Sequence, residues 1–388
     1  MTKRRGLIVL GLCLIGANLR LPITMMPPLL SALAQSGRLS QSAAGWLTSI
    51  PLVMFACASP FLGRLGTRFG NARVLLAATI MLVAGSYLRL LPSSVALLGG
   101  TVLIGLGIAN GNVLLPALIK DEFPQRIALM TTLYTTMMGL VASLGTGTAG
   151  LLAQAGGPNL AMGGLGLFSI AAAGCWLFAL PQMKTHHAMT RTQAPKIGRQ
   201  SMAWLVMLFF GLQSILYYSL LTWLPTFWQT GGFSTVNAGT LATCFQLAGL
   251  PMSLITPSLA ERRHGLAMIV GLVFGGFALG LVGLLLGPSS FGLNVLLAVL
   301  MGVASGAAFS VCIVFFQKKA DTVAATAALS GMAQAGGYWL AAMGPVSCGL
   351  MVAHIGWLGL VWVWLGLSFV LGGCGWAILH GRMITTRK

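Results

Sequence analysis

The sequence predicts an all-α membrane protein of twelve transmembrane helices, arranged as two pseudo-symmetric six-helix bundles. Hydrophobic residues make up 57% of its 388 residues and charged residues only 7%, whereas soluble domains carry roughly 25% charged residues. Apolar runs of about 20 residues, long enough to span a bilayer, follow one another along the chain with short connections. Such runs must be helical, because lipid offers backbone N–H and C=O groups no other hydrogen-bond partner.

The predicted spans fall into two sets of six. The longest polar stretch, 182–200, lies between the sets. We therefore expect an N-terminal bundle over 1–181, a cytoplasmic linker over 182–200 and a C-terminal bundle over 201–388. The spans are predicted at 7–29, 43–62, 74–92, 94–119, 127–154 and 160–181, and at 202–228, 238–260, 266–287, 291–316, 323–353 and 356–380.

Basic residues predict the topology. Most of the 22 Lys and Arg residues lie in alternate connections between spans, and cytoplasmic loops are the ones enriched in them. Both termini are therefore expected in the cytoplasm of a bacterial cell, with the protein in the inner membrane. The net charge of +18 then reflects topology and contact with membrane lipid, and no nucleic-acid partner is expected.

Enzyme and metal chemistry are not predicted. The seven cysteines are scattered without metal-ligand spacing, so neither a metal nor a cofactor is expected. A membrane enzyme would be expected to cluster His with Asp or Glu at the membrane surface, and a sensor would carry a sizeable soluble domain. The remaining class is a transporter of a small solute, expected to work as a monomer.

Arg20 is the main candidate for substrate contact. It lies roughly 20 Å into the predicted first span, past the midplane of a hydrocarbon core of about 30 Å. A guanidinium there is costly unless it faces a watery cavity or pairs with an anion. Cys13, Ala17, Arg20 and Thr24 are spaced as one helical stripe, typical of a cavity wall. The alternatives are that Arg20 reaches the outer interface or caps a broken helix near Pro22.

Other polar and aromatic side chains fall inside spans, where they either line a cavity or bond to a neighbouring helix. Asn110 and Asn112 lie about 200° apart around a helix, so only one of them can face a cavity. Trp46, Tyr134 and Trp223 are candidates for stacking on a planar solute, although Trp near a span end more often anchors at the interface. With Arg20, the predicted substrate-binding residues are Thr24, Asn112, Tyr134, Gln213, Tyr217, Gln246, Gln334 and Tyr338.

Arg89 and three pairs of glycines have structural interpretations. Arg89 lies near the outer end of its span and is expected to extend to the lipid headgroups. Glycines four residues apart allow helices to approach closely. Such contacts are expected at Gly107 with Gly111, Gly271 with Gly275, and Gly302 with Gly306.

The membrane interior is predicted to contain no carboxylate. Asp121, Glu122, Glu261 and Asp321 all map to cytoplasmic loops, whereas proton-coupled transporters usually bury such a group. Three explanations remain open, in order of preference: coupling is absent, the solute carries its own proton, or His354 serves as the proton site.

A repeated loop resembles a known superfamily. The segment after span 2, residues 63–70, recurs after span 8 at 259–262, half a chain length away. The first copy resembles the loop signature of the major facilitator superfamily, with Thr67 in place of its acid; the second keeps the acid but lacks the glycines. The resemblance implies the major facilitator fold and a gating role for these loops. The implied gating residues are Gly63, Arg68, Gly70, Glu261 and Arg262.

Further runs resemble one branch of that superfamily, the cyanate transporter and 2-nitroimidazole transporter family, with the latter nearer. This resemblance covers essentially the whole chain and implies transport of a small nitrogen-containing solute. The runs are Asn18-Leu19-Arg20, residues 111–116, Leu118-Ile119-Lys120 with Phe123-Pro124, Tyr217-Tyr218, Trp223-Leu224-Pro225 and residues 328–334.

The resulting hypothesis is a secondary transporter that works by alternating access. Arg20, with Gln213, Tyr217, Gln334 and Tyr338, would line a central cavity. The planar donor fork of the arginine would attract an anion such as cyanate or bond to the oxygens of a nitro group. The alternative is an exporter of neutral or cationic drug-like compounds, in which Arg20 is structural and aromatic stacking dominates.

Overall fold

A computed structural model describes residues 3–40, 43–182, 197–287 and 289–384. Within them the chain forms thirteen α-helices, joined by short connections that include the 3-10 turns Pro27–Leu29 and Leu180–Gln182. The β-structure in these ranges is an isolated bridge between Ala320 and Ile384. The prediction of an all-α fold is confirmed.

Seven helices precede the predicted linker. Two of them, α2 and α3, are short and continue the first span. The last, α7, is interrupted at Gly156 and Gly157, directly before Pro158, and Gly157 has a φ of 78°, in the left-handed region that favours glycine. The helices are α1 (Lys3–Asn18), α2 (Leu21–Thr24), α3 (Leu30–Gln35), α4 (Trp46–Phe69), α5 (Asn71–Leu88), α6 (Ser94–Glu122) and α7 (Ile127–Ala179).

Six helices follow the predicted linker. The last, α13, is interrupted at Gly356, which has a φ of 68°. Each interrupted helix therefore holds two of the predicted spans, separated by little more than a glycine. The helices are α8 (Ser201–Thr230), α9 (Thr235–Gly249), α10 (Met252–Ala260), α11 (Gly265–Leu285), α12 (Phe291–Lys318) and α13 (Val323–His380).

The described residues contain nine helical stretches that are long and apolar enough to cross a membrane. Two of these, of 51 and 53 residues, contain the glycine interruptions and are each twice the length of one crossing. With the shorter apolar stretch Trp46–Ser59, the described chain accommodates the twelve predicted crossings.

The chain divides into two compact units, with the division inside the predicted linker. In the first unit, the most extensive packing joins α5 to α6, α1 to α7 and α4 to α6. In the second, it joins α8 to α13, α11 to α12 and α9 to α12. Most of the predicted linker, residues 183–196, lies outside the described residues.

Spans 1 and 8 each contain a break in the helix, and the break in span 1 lies near Pro22, as one of the alternatives for Arg20 requires. The first breaks after Asn18, and α2 begins at Leu21. The second breaks between Gly249 and Met252, where Pro251 has no N–H with which to continue the helix. The stripe from Cys13 to Thr24 spans the break after Asn18, and its members differ in exposure, since Arg20 is half-buried and Thr24 is 1% exposed.

Two of the three predicted glycine contacts are confirmed. A Cβ at Gly107 would lie 2.9 Å from the carbonyl oxygen of Ala78, and one at Gly306 would lie 2.6 Å from the Cα of Gly249. At Gly271, by contrast, a Cβ would meet no atom of the described chain within 4 Å, and the same holds at Gly275. That prediction was wrong because the pair does not face another helix.

Candidate functional site

Arg20 lies in the break of the first span. Its backbone has φ −129° and ψ −36°, and its carbonyl oxygen accepts hydrogen bonds of 3.0 Å from the N–H groups of Ile23 and Thr24. The side chain provides no cap to α2 and is half-buried. Of the alternatives for Arg20, the broken helix is present, and its capping by the Arg20 side chain stays a prediction.

The break is held in place by close packing on both sides. Leu19 contacts α6 at Gly111, and Leu21 contacts α7 at Gly145; a Cβ on either glycine would collide with the leucine. The Nδ2 of Asn18 donates to the carbonyl oxygens of Leu14 at 2.8 Å and of Phe168 at 2.9 Å. Interrupted backbone inside a membrane is tolerated where neighbouring protein surrounds it. The backbone at Arg20 is therefore fixed by two other helices.

Arg89 supports the same break from the opposite side. It is 0% exposed, and its guanidinium donates from Nη1 to the carbonyl oxygen of Pro22 at 2.7 Å and from Nε to the Oγ1 of Thr101 at 3.0 Å. Pro22 follows Arg20 by two residues. The prediction that Arg89 extends to lipid headgroups is wrong, because free carbonyls at the break offer the guanidinium acceptors inside the bundle.

Arg38 makes a second set of hydrogen bonds, to the backbone around Arg89, which the sequence did not predict. Its Nη2 donates to the carbonyl oxygens of Arg89 at 2.5 Å and of Leu91 at 2.6 Å, and its Nη1 donates to the Oδ1 of Asn159 at 2.8 Å. Its own carbonyl oxygen accepts a hydrogen bond from Ser94 at 2.6 Å. One feature of the sequence could have indicated this role: Arg38 lies outside the alternating basic loops, so the topology does not account for its charge.

The other predicted residues of the first unit have different environments. Thr24 is 1% exposed, and its Oγ1 donates to the carbonyl oxygen of Ala142 at 3.1 Å, which joins α2 to α7. Tyr134 is 9% exposed, and its backbone packs against Gly16 of α1. Asn112 is exposed, whereas Asn110 is buried and donates to the carbonyl oxygen of Leu106 at 2.8 Å. Of the two asparagines, Asn112 therefore keeps the accessible amide.

In the second unit, α8 and α9 bring an aromatic pair together. The rings of Tyr217 and Phe245 stack with centroids 6.1 Å apart and an interplanar angle of 22°. A planar solute inserted between two rings needs about 7 Å, twice a carbon contact distance, so this pair provides one face for stacking. Gln213 is 3% exposed and donates to the Oγ of Ser214 at 2.6 Å, and Gln246, next to Phe245, is 9% exposed.

α13 contributes the remaining predicted residues. Gln334 is half-buried and donates from Nε2 to the Oγ of Ser330 at 2.8 Å, one turn away. Tyr338 is half-buried, and its ring meets that of Phe210 on α8 edge-on, with centroids 5.3 Å apart. A Cβ at Gly337 would lie 3.2 Å from the backbone nitrogen of Gly211, so glycines bring the two helices into close contact.

The candidate stacking tryptophans differ in exposure. Trp223 is 1% exposed and donates from Nε1 to the carbonyl oxygen of Pro345 at 2.8 Å. Trp46 is 45% exposed, at the start of α4. Trp223 therefore joins α8 to α13, and only Trp46 keeps an accessible ring.

The first predicted gating loop is a single residue. α4 ends and α5 begins at Gly70, whose φ of 88° requires glycine. Gly63 lies within α4, and the guanidinium of Arg68 lies over the Phe69 ring at 5.2 Å. Asn71, which follows the loop, donates from Nδ2 to the Oδ2 of Asp121 at 3.2 Å.

The second predicted gating loop joins α10 to α11. Glu261 and Arg262 are both exposed there. A Cβ at Gly265 would lie 2.7 Å from the carbonyl carbon of Leu259 and still closer to its oxygen. A glycine is therefore required in this turn too, at a position that does not match those of the first copy.

The acidic residues lie at helix ends, so Asp121 and Glu122 belong to a helix and not to a loop, and the predicted cytoplasmic location of all four stays a prediction. Asp121 and Glu122 end α6, Glu261 follows α10, and Asp321 lies between α12 and α13. In the part of the chain that the structure describes, no three His, Cys, Asp or Glu residues are grouped so that they could hold a metal ion. The chemistry available to the predicted site is therefore that of arginine, amides, phenols and aromatic rings.

Sequence comparisons assign the chain to a family. The Major Facilitator Superfamily matches residues 8–342. The chain is 36% identical over 386 residues to "Uncharacterized transporter YycB" of Bacillus subtilis (strain 168), covering 97% of this chain and 94% of that protein. It is 38% identical over 352 residues to the 2-nitroimidazole transporter of Escherichia coli (strain K12), covering 88% and 87%. It is 28% identical over 368 residues to the cyanate transport protein CynX of the same strain, covering 94% of each.

Solved structures show the same fold. The nucleoside transporter NupG superposes with a TM-score of 0.78 at 14% identity, covering 96% of this chain and 99% of that one. The D-xylose-proton symporter superposes with a TM-score of 0.72 at 16% identity, covering 98% of each. The predicted fold and both levels of the family resemblance are confirmed, and the chain is a membrane-spanning transporter of the major facilitator superfamily.

Proposed function

We propose that this transporter moves a small polar, nitrogen-containing solute, of the 2-nitroimidazole or cyanate type, across the bacterial inner membrane by alternating access. The proposal rests on the environment of Arg20. Of the two arginines nearest the break in the first span, Arg89 is 0% exposed, whereas Arg20 is half-buried. Arg20 therefore retains surface that a solute can reach.

The chemistry of a guanidinium fits both solute types. Its planar fork of N–H donors matches the two oxygens of a nitro group, and its fixed charge attracts an anion such as cyanate. The two relatives named for these solutes, at 38% and 28% identity, support this choice. Membrane burial of an arginine is costly, and a solute that accepts hydrogen bonds would offset that cost.

We further propose a division among the predicted contact residues. Arg20, Asn112, Tyr217, Gln334 and Tyr338 keep accessible surface and would contact the solute. The remaining predicted residues would position them from within each unit, since they are buried; they are Thr24, Tyr134, Gln213 and Gln246. The face of the Tyr217 ring that does not stack on Phe245 would support a planar azole.

Substitution of Arg20 tests the proposal in proteoliposomes. A charge-assisted hydrogen bond contributes about 1.5–3 kcal/mol, so Arg20→Ala is expected to weaken solute affinity by about 10- to 100-fold. Arg20→Lys keeps the positive charge but loses the planar fork of donors. It should therefore retain a larger fraction of wild-type exchange for cyanate than for 2-nitroimidazole. Equilibrium exchange of each labelled solute needs no assumption about direction, and Arg126→Ala, at an exposed position, is the matched control.

Two outcomes would decide against the proposal. Unchanged exchange kinetics in correctly folded Arg20→Ala would remove Arg20 from the mechanism. Transport of neutral or cationic drug-like compounds that small anions do not inhibit would favour the alternative exporter.

The positions of the acids lead us to propose that transport is not coupled to protons. All four lie at helix ends or in the turns that follow, and His354, the remaining candidate, is exposed beside the Gly356 interruption. Uptake of a neutral azole should then be independent of an imposed pH gradient. A gradient dependence lost in His354→Gln would instead make His354 the proton site.

A further inference from the structure

A cavity lies at one end of the second unit, apart from the predicted substrate contacts. Its volume is about 520 Å³, within the range of ligand pockets, roughly 300–1,000 Å³. Four elements line it: the turn between α10 and α11, the start of α11, the end of α12 and the end of α13. The lining side chains include three cations, Arg262, Arg263 and Lys318.

The cavity is strongly biased toward anions. Besides the three cations it is lined by His264 and His380, and Glu261 is the acid among its lining residues. The first turn of α11 also lines it, through Leu266 and Ala267. The N–H groups at the start of a helix have no carbonyl of their own helix to bond to, and they attract negative charge.

The fold holds the Lys318 side chain and the backbone of the turn that carries the two arginines. Lys318 donates from Nζ to the carbonyl oxygen of Ala260 at 2.7 Å, which ties the end of α12 to the end of α10. The N–H of Arg262 donates to the carbonyl oxygen of Leu259, and the N–H of Gly265 donates to that of Arg262. Since Gly265 allows this tight turn, the backbone beneath both arginines is fixed before any ligand arrives.

An apolar rim points to the source of the anion. Trp376 lines the cavity and is 59% exposed, with its ring 4.7 Å from that of His380. Leu266 and Leu379 also line it. Exposed tryptophan beside basic residues at the end of a membrane helix is typical of the headgroup level of a bilayer. A small soluble anion would gain no binding energy from these apolar side chains, whereas a lipid would bury its glycerol and acyl chains against them.

We propose that this cavity binds the phosphate headgroup of an anionic phospholipid. The lipid phosphate contacts Arg262, Arg263 and the first turn of α11, and its glycerol lies against Trp376. Basic pockets between membrane helices on the cytoplasmic side bind such headgroups. None of the proposed solute contacts is among the lining residues, whereas Glu261 and Arg262 of the second predicted gating loop are.

Lipid binding to the purified full chain tests the site. Delipidated protein in detergent is titrated with dioleoylphosphatidylglycerol, with dioleoylphosphatidylcholine or with inorganic phosphate, and bound lipid is counted by native mass spectrometry while the apparent Tm is followed. Phosphatidylglycerol should bind and raise the Tm, as any ligand selective for the folded state does. The double substitution Arg262→Gln with Arg263→Gln should weaken its binding roughly thirtyfold, from two lost surface charges.

Matched controls separate the site from general charge. Lys120→Gln with Arg126→Gln removes the same charge from exposed positions of the first unit and should leave phosphatidylglycerol binding unchanged. Equal binding of both lipids, or an equal loss in both double variants, would overturn the proposal. Full stabilisation by inorganic phosphate alone would overturn the lipid assignment. If the Arg262 and Arg263 variant does not fold, Trp376→Ala replaces it and must weaken lipid binding without affecting phosphate.

Discussion

The contact between α9 and α12 offers a sharp test of how this fold packs. Gly302 of α12 lies against the backbone of α9, and a Cβ there would be 2.9 Å from the carbonyl carbon of Phe245 and nearer still to its oxygen. Phe245 stacks on Tyr217 and precedes Gln246. Gly302→Ala therefore perturbs both the packing of the unit and the backbone under two predicted contact residues.

The size of the effect follows from two opposing terms. Carbon atoms need about 3.5 Å, so the new methyl group overlaps the Phe245 carbonyl carbon by about 0.6 Å, and backbone cannot rotate away as a side chain can. Overpacking of this kind typically costs about 1–3 kcal/mol, while alanine in a helix gains about 0.5–1 kcal/mol over glycine. Gly271→Ala should only gain the helix propensity of alanine over glycine, because a Cβ there meets no described atom within 4 Å.

Comparison of the two variants isolates the packing term. Their stabilities should differ by about 1–3 kcal/mol, which corresponds to roughly 2–12 °C in Tm for a unit of this size. Scanning fluorimetry in one detergent at one heating rate measures the order: Gly271→Ala at or above wild type, and Gly302→Ala below it. A Gly302→Ala protein as stable as Gly271→Ala, with unchanged solute exchange, would show that α9 and α12 do not touch as described.

Three further outcomes are expected. Gly356→Ala should destabilise the protein by about 1–3 kcal/mol because its backbone is accessible to glycine alone; Gly366→Ala, where a Cβ meets no described atom within 4 Å, is the control in the same thermal scan. Arg89→Met leaves the buried Pro22 carbonyl unpaired and should cost about 1–3 kcal/mol, with solute exchange falling as well; unaltered exchange would separate Arg89 from the break. Asn18→Leu loses two side-chain hydrogen bonds and should lower Tm, with faster proteolysis of the first span as an independent measure.

Membrane location, helix count and family resemblance were predictable from the sequence because each depends on local composition. An apolar run must become a helix in lipid whatever it packs against. The glycine interruptions also depend on local sequence. Gly156 and Gly157 fall between two predicted spans and directly precede Pro158, and Gly356 stands at the start of the last predicted span. The loop motif placed a glycine at position 70, and Gly70 adopts a positive φ there, which is again a property of one residue.

The candidate site was only partly predictable for the opposite reason. The sequence shows directly which polar residues lie inside a span. Whether such a residue contacts a solute or another helix depends on which part of the folded chain it faces. Thr24 and Trp223 donate to neighbouring helices, whereas Asn112 and Tyr338 keep accessible surface. A break near Pro22 was one of the alternatives for Arg20, but only the structure places it directly after Asn18.

Arg20 and Arg89 show most clearly what the sequence determined and what tertiary structure decided. The sequence by itself determined that two arginines fall within apolar spans that contain no carboxylate. Only the fold decided that one of them satisfies the carbonyl of Pro22 while the other keeps accessible surface. The physical reason is that a buried charge takes the nearest acceptor, and the acceptor that Arg89 finds was created by a break in a helix 67 residues away along the chain.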